Sequence, residues 1–269
     1  MNFRPPLLLR LLPTALRMPV FYRFYRNHSA EARALYENAA LHFAPKIRME
    51  LLPTDEGHSH IAFTGFYELP LTKMIVALAK GGGLLVDVGA NYGYFSLLWA
   101  AMNPQNTVIA FEASPRNHAA LIRNVERNGL ANRIAAESQA LGRESGVMRF
   151  DVGPDEQTGW GGLSKEPFWK GIEVTVTTLD EVFLDEKEIA VLKIDVEGAD
   201  TWVLEGARQL LQRRRIAHIM YEENSGKMAS LGIEPGTAER ILRDSGYEVT
   251  PFEDEAAAGL TQFHARRPD

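Results

Sequence analysis

The sequence predicts an α/β fold. It reads as a mostly parallel sheet flanked by helices, preceded by an N-terminal extension of helices and a β-hairpin. Three observations carry this. From residue 84 onward, short apolar runs alternate with helix-like segments. The runs at 84–88, 107–111 and 189–194 are rich in Val, Ile and Leu, as strands covered on both faces are. Glycine, asparagine and proline punctuate the joins. A chain of 269 residues buries roughly three quarters of its unfolded surface. The expected division is an extension over 1–63 and a main domain over 64–269.

Each element has a local reason. Ser29 as N-cap and Pro45 as stop predict a helix within 28–45. Residues 46–52 and 58–63 read as strands around the turn Pro53-Thr54-Asp55-Glu56-Gly57. Residues 69–80 read as a helix closed by Gly81-Gly82-Gly83. The strand at 84–88 leads into an apolar helix over 94–102, and the strand at 107–111 into a helix over 115–128. Pro115 suits that helix's first turn and Gly129 its C′ position. Strands are expected at 133–140, 147–152, 172–177, 189–194 and 216–221, the second and third of these antiparallel. Helices are expected at 199–212 and 237–245, and a closing hairpin at 247–252 and 260–266.

In such sheets ligands sit outside the carboxyl ends of the strands. The loop Asp87-Val88-Gly89-Ala90-Asn91-Tyr92-Gly93 follows one strand end. Gly89 and Gly93 allow a sharp turn and close approach of backbone to ligand. The loop lacks the G-x-G-x-x-G spacing that seats a pyrophosphate. Glu112 ends the next strand, 23 residues after Gly89. A carboxylate there can accept hydrogen bonds from two ribose hydroxyls, or oppose the following helix dipole. In Leu192-Lys193-Ile194-Asp195-Val196-Glu197-Gly198, two carboxylates two residues apart follow a buried run. Strand pleating would place Asp195 and Glu197 on one side. Such a pair can take up a proton, hold a hard cation or cap the next helix.

The strings VDVGANYGYFSLL, FEASPRNHAALIRNVERNGL, TLDEV and LKIDVEGADTWVLEGA, with Gly65-Phe66-Tyr67-Glu68 upstream, resemble the FkbM family of S-adenosylmethionine-dependent methyltransferases. The resemblance spans about residues 60–225. It implies the class I methyltransferase fold, a Rossmann-like seven-stranded sheet with its last strand antiparallel. It implies S-adenosyl-L-methionine as cofactor. Asp87, Gly89, Ala90, Asn91 and Gly93 would form the cofactor loop, wrapping the methionine end. Glu112 would hold the ribose and Ala113 would lie near the adenine. Gln139 and Ala140 would follow along the adenine, with Gln139 departing from the acid common there. Tyr67 and Glu68 would close over the amino-acid end. Asp195 would face cofactor and acceptor together. Asp195 and Glu197, then Glu222 at the next strand end, are the expected catalytic carboxylates. His58 and His60 fall on the expected hairpin, from which they could reach the cleft, although a surface role is expected.

The acceptor implied is a hydroxyl of a small molecule or a sugar. The aromatic, glycine-rich segment around Trp160, with Phe168 and Trp169 beyond, is the candidate acceptor lid. A nicotinamide-dependent oxidoreductase shares the sheet and the ribose acid, but the first loop disfavours it. A noncatalytic nucleoside-binding protein on the same fold is the other alternative.

Composition narrows the classes. No cysteine is present, which excludes disulfides and thiolate metal sites and is compatible with the cytoplasm, the expected compartment. No metal is expected. The net charge of −6 argues against nucleic-acid binding. Residues 1–30 nevertheless carry five arginines and no acid, leaving −11 for the other 239 residues. Arginines and prolines interrupt every apolar run there, unlike a signal peptide. The first 27 residues are expected to pack on the main domain, with membrane-surface or oligomer contact as the other roles.

Overall fold

The computed structural model describes residues 5–26, 32–166, 171–183, 188–252 and 259–268. Before the sheet come α1 (Leu7–Leu11), α2 (Thr14–Phe24), α3 (Arg33–Glu37), β1 (Ala39–Ala40), β2 (Arg48–Met49), α4 (Glu56–Thr64) and α5 (Leu69–Ala79). The alternating part runs β3 (Leu84–Val88), α6 (Tyr94–Met102), β4 (Thr107–Phe111), α7 (Pro115–Arg127) and β5 (Ile134–Glu137). Next come β6 (Ala140–Leu141), β7 (Gly146–Asp151), β8 (Gly162–Leu163), β9 (Gly171–Thr177) and α8 (Leu179–Phe183). The chain then forms β10 (Ile189–Ile194), α9 (Asp200–Glu205), α10 (Arg208–Gln212), β11 (Ile216–Asn224), α11 (Ser225–Leu231), α12 (Thr237–Asp244), β12 (Glu248–Pro251) and β13 (Leu260–Arg266).

Seven strands form the central sheet in the order β12-β13-β11-β10-β3-β4-β5. The pairs β11–β10, β10–β3, β3–β4 and β4–β5 are parallel. β13 runs antiparallel to both its neighbours. This is the seven-stranded, mostly parallel class I methyltransferase sheet. Its order reverses between β3 and β10, whose ends are level, with Ile194 opposite Val88. The loops after these two strands therefore open side by side at the switch point, where ligands bind. The turn after β3 depends on Gly89, at φ 76: a Cβ there would stand 1.9 Å from the Asp195 carbonyl oxygen.

A four-stranded sheet, β6-β9-β7-β8, lies beside the main one, with β7 antiparallel to β9, as expected, and to the short β8. One apolar cluster joins Leu9 and Phe21 of the N-terminal helices to Leu97, Val191 and Met220 of the sheet layer. A second gathers Val86, Leu192, Val203 and Ile219. Among the described residues no single helix is long and apolar enough to cross a membrane.

The N-terminal third departs from the sequence expectation. Residues 58–63 are not a strand but part of α4. Asp55 caps that helix by accepting from His58 N–H at 2.8 Å, and Gly65, left-handed at φ 84, ends it. A cap and a C′ glycine at this spacing outweigh a short alternation of apolar and polar residues. The expected helix over 28–45 is restricted, among the described residues, to α3. Its neighbours Ala39 and Ala40 pair instead with Met49 and Arg48 in β1–β2. Ser29 lies outside the described residues. The helix expected at 199–212 is split into α9 and α10 around Gly206.

Candidate active site

A cavity of about 310 Å³ opens at the switch point. Its floor is the loop after β3, with Gly89, Ala90 and Asn91. Glu112 and Ala113 follow from β4, Gln139 lies between β5 and β6, and Ala140 begins β6. Asp195 and Glu197 come from the loop after β10 and Glu222 from β11, while Tyr67 and Glu68 precede α5. Trp160 stands at the rim, about half exposed. Two expected loop residues do not line the cavity. Gly93, at φ 88, is the N-cap of α6, and a Cβ there would strike Leu121. Asp87 lies beneath the floor, accepting from Ser96 Oγ at 2.6 Å. Trp169 and Phe168 lie outside the described residues.

Glu112 is fixed by its own loop neighbours. One carboxylate oxygen accepts from Asn91 N–H at 2.7 Å and the other from Ser114 N–H at 2.8 Å. Each oxygen keeps a lone pair for a further donor. Burial pushes its pKa up to about 7, against these two hydrogen bonds. Donors from a ligand, such as ribose hydroxyls, would favour its charged form.

Asp195, Glu197, Glu222 and Glu68 converge on one side of the cavity. The expected pleat does not align Asp195 with Glu197, because β10 ends at Ile194 and Glu197 turns left-handed at φ 56. The loop, not the strand, brings both to the cavity. Burial, then the neighbouring Asp195, raises Glu197 to about 8. Burial, then the surrounding carboxylates, raises Glu222 to about 10. Asp200, beneath them, accepts from Glu222 N–H at 2.9 Å and is raised by burial to about 7.

One cation answers this cluster from within the sheet. Lys193 is 3% exposed, its ammonium 3.2 Å from Asp195 and 3.6 Å from Asp87, above the Phe95 ring. Burial works against its charge, but Asp195, Asp87 and Glu68 outweigh that and hold its pKa above the ordinary lysine value. A lysine inside an apolar strand is the signal that could have found it, since a buried charge requires partners.

His58 is not on a surface hairpin. It is buried on α4 and lines the cavity. Its Nδ1 accepts from Leu52 N–H at 3.1 Å, so Nε2 carries the proton and donates to Asn91 Oδ1 at 3.2 Å. Burial lowers its pKa and keeps it neutral. Asn91 Nδ2 donates to Thr158 Oγ1 at 3.2 Å, and Thr158 N–H donates to Asp55 Oδ2 at 2.6 Å. The Asp55 cap thus closes a ring tying α4, the cofactor-type loop and the segment before Trp160. His60 lies apart, 2.9 Å from Tyr22 Oη. Among the described residues, Glu68, Asn91 and Glu197 are three of the four non-glycine residues with positive φ, and all three line the cavity. Backbone strain of this sort collects where a site imposes geometry.

The donor set fits S-adenosylmethionine. A ribose-type acceptor at Glu112, a neutral wall along Ala113, Gln139 and Ala140, and excess carboxylate match a cationic nucleoside without phosphate. Among the described residues, no group of three or more His, Asp or Glu side chains converges as a metal site.

The profile of the Methyltransferase FkbM domain matches residues 87–249. The chain is 29% identical over 221 residues to 31-O-demethyl-FK506 methyltransferase FkbM from Streptomyces tacrolimicus, covering 70% of this chain and 82% of that one. It is 28% identical over 228 residues to Methyltransferase sdnD from Sordaria araneosa, covering 72% and 85%. Among solved structures, the O-methyltransferase from Bacillus cereus in complex with SAH superimposes with TM-score 0.45 at 12% identity, over 74% of this chain and 81% of that one. With the family profile covering more than half of its length, the chain belongs to the FkbM methyltransferase family.

Proposed function

We propose that the protein is an S-adenosylmethionine-dependent O-methyltransferase that methylates a hydroxyl of a small molecule or a sugar. The observation that carries this is the joint lining of one cavity by the Glu112 loop and the four-carboxylate cluster. The relative from Streptomyces tacrolimicus is named for a 31-O-demethyl substrate, which supports an oxygen acceptor.

When bound, S-adenosylmethionine supplies an electrophilic methyl on a sulfonium cation. The chain's residues bind, orient and manage protons. Glu112 holds the ribose edge, and Ala90 and Asn91 line the floor beside it. Asp195, Glu197, Glu222 and Glu68 lower the energy of positive charge in the cavity. Burial, then the neighbouring carboxylates, holds Glu197 and Glu222 protonated near neutral pH while no cation is present. Positive charge nearby favours their ionised forms. One carboxylate can then take the acceptor's proton as the methyl is transferred in line. Positioning supplies most of the rate. Lys193 orients Asp195 from below and leaves its outer face toward the cavity. Trp160 at the rim offers a flat apolar surface to the acceptor.

The nicotinamide reading is disfavoured by charge. A pyrophosphate would meet a wall of carboxyl groups, Glu68, Asp195, Glu197 and Glu222, and would oppose their ionisation instead of favouring it as a cation does. The test is a screen of hydroxylated acceptors scored by S-adenosylhomocysteine release. Release dependent on a hydroxyl compound supports the reading. S-adenosylhomocysteine binding without turnover on any hydroxyl acceptor, combined with turnover on an amine or carbon acceptor, would replace it.

A further inference from the structure

The N-terminal helices carry a surface that the methyl-transfer site does not use. Helix α2 is apolar on opposite sides. Inward it buries Phe21, while Arg17 donates to the carbonyls of Leu12 and Thr64 at 3.0 and 3.1 Å. Leu9 anchors α1 in the same way. Outward stand Leu7, Leu8, Leu11, Leu16, Tyr22 and Phe24. These are six of the ten large apolar side chains exposed among the described residues, gathered within 18 positions. Leu11 is 75% and Leu7 62% exposed. Large apolar side chains left in water on the side away from the core need a contact to cover them. Exposed apolar side chains gathered this densely in one segment mark a contact.

Charge identifies the medium. Arg10 and Arg23 are exposed between these leucines and aromatics, and neither forms an ion pair among the described residues. The first 30 residues hold five arginines and no acid. Arginines interleaved with leucine, tyrosine and phenylalanine form the composition that sits in the headgroup layer of an anionic bilayer. Self-association through the same face is disfavoured, because a two-fold contact would set Arg10 and Arg23 of both copies together. Among the described residues no single helix is long and apolar enough to span a bilayer, and a contact through α1 and α2 lies in the plane of the surface. We propose that α1 and α2 dock on an anionic lipid bilayer through Leu7, Leu8, Leu11, Leu16, Phe24 and the flanking arginines. Docking there also places the site near the surface. α2 packs on α4 through Phe21–Phe63 and Tyr22–His60, and α4 carries His58 into the cavity wall.

The test is flotation of the full chain with vesicles of phosphatidylcholine, with and without phosphatidylglycerol. The chain is expected to float with the mixed vesicles, less so as salt rises, and to stay behind with phosphatidylcholine alone. Arg10→Ala and Arg23→Ala are each expected to lower the partition coefficient roughly fivefold. Leu8→Ser with Leu11→Ser is expected to lower it more than about tenfold. All these side chains are exposed and outside the cavity, so unfolding temperature and S-adenosylhomocysteine affinity should not move. Three results overturn the proposal: no flotation with either vesicle, equal flotation with both, or self-association of the soluble chain that Leu8→Ser with Leu11→Ser abolishes.

Discussion

Glu112 is the residue on which cofactor recognition turns. Glu112→Ala removes a charged acceptor and frees two loop N–H groups, so S-adenosylhomocysteine affinity is expected to fall about ten- to hundredfold by calorimetry. Unchanged affinity would remove Glu112 from the ribose edge. For the carboxylate cluster the split runs the other way. Asp195→Asn and Glu197→Gln are expected to lower turnover by about a hundredfold or more, with smaller losses in cofactor affinity. Near-normal turnover in both would exclude them as proton acceptors. These residues were legible in the sequence because each follows an apolar run at a strand's carboxyl end. Lys193 and His58 were not. Lys193 sits within an apolar run, where the pattern reads only strand. The role of His58 depends on α4, whose cap and C′ glycine lie outside any α/β repeat.

At the scale of elements, the sequence read best where hydrophobic period and punctuation agreed, from β3 through α7 and again at β10 and β11. It misread residues 46–63. A two-residue pairing such as β1–β2 has no pattern of its own and exists only through tertiary contact. The element that matters most there is the N-terminus of α4, where Asp55 caps the helix and holds Thr158. Asp55→Ala breaks both bonds. A stability loss of about 1–3 kcal/mol is expected from denaturant unfolding, together with a raised KM for the cofactor, because Asn91 loses its braced partner. A stability loss with unchanged KM would show that the ring is structural alone. Gly89→Ala should be more severe, since its Cβ would meet the Asp195 carbonyl and push two site loops apart.

At the scale of the molecule, the cavity stores unfavourable acidity. Glu112, Glu197, Glu222 and Asp200 all have pKa values above the ordinary carboxylate range. The folded chain therefore holds more protons than the unfolded one between about pH 4 and the raised values. The stability of the unliganded protein is expected to fall as pH rises through that window, most clearly between 5 and 8. A cationic ligand reverses the preference. Its binding should release protons at pH 7, and its affinity should rise as pH approaches 8. Calorimetry in two buffers of different ionisation enthalpy measures that release. The central claim is that this cavity holds S-adenosylmethionine through Glu112 and its acid cluster. It is tested most directly by titrating S-adenosylhomocysteine and NADH into the wild-type chain and into Glu112→Ala. Saturable S-adenosylhomocysteine binding that Glu112→Ala weakens is expected, with no NADH binding. NADH binding with no response to S-adenosylhomocysteine would contradict it.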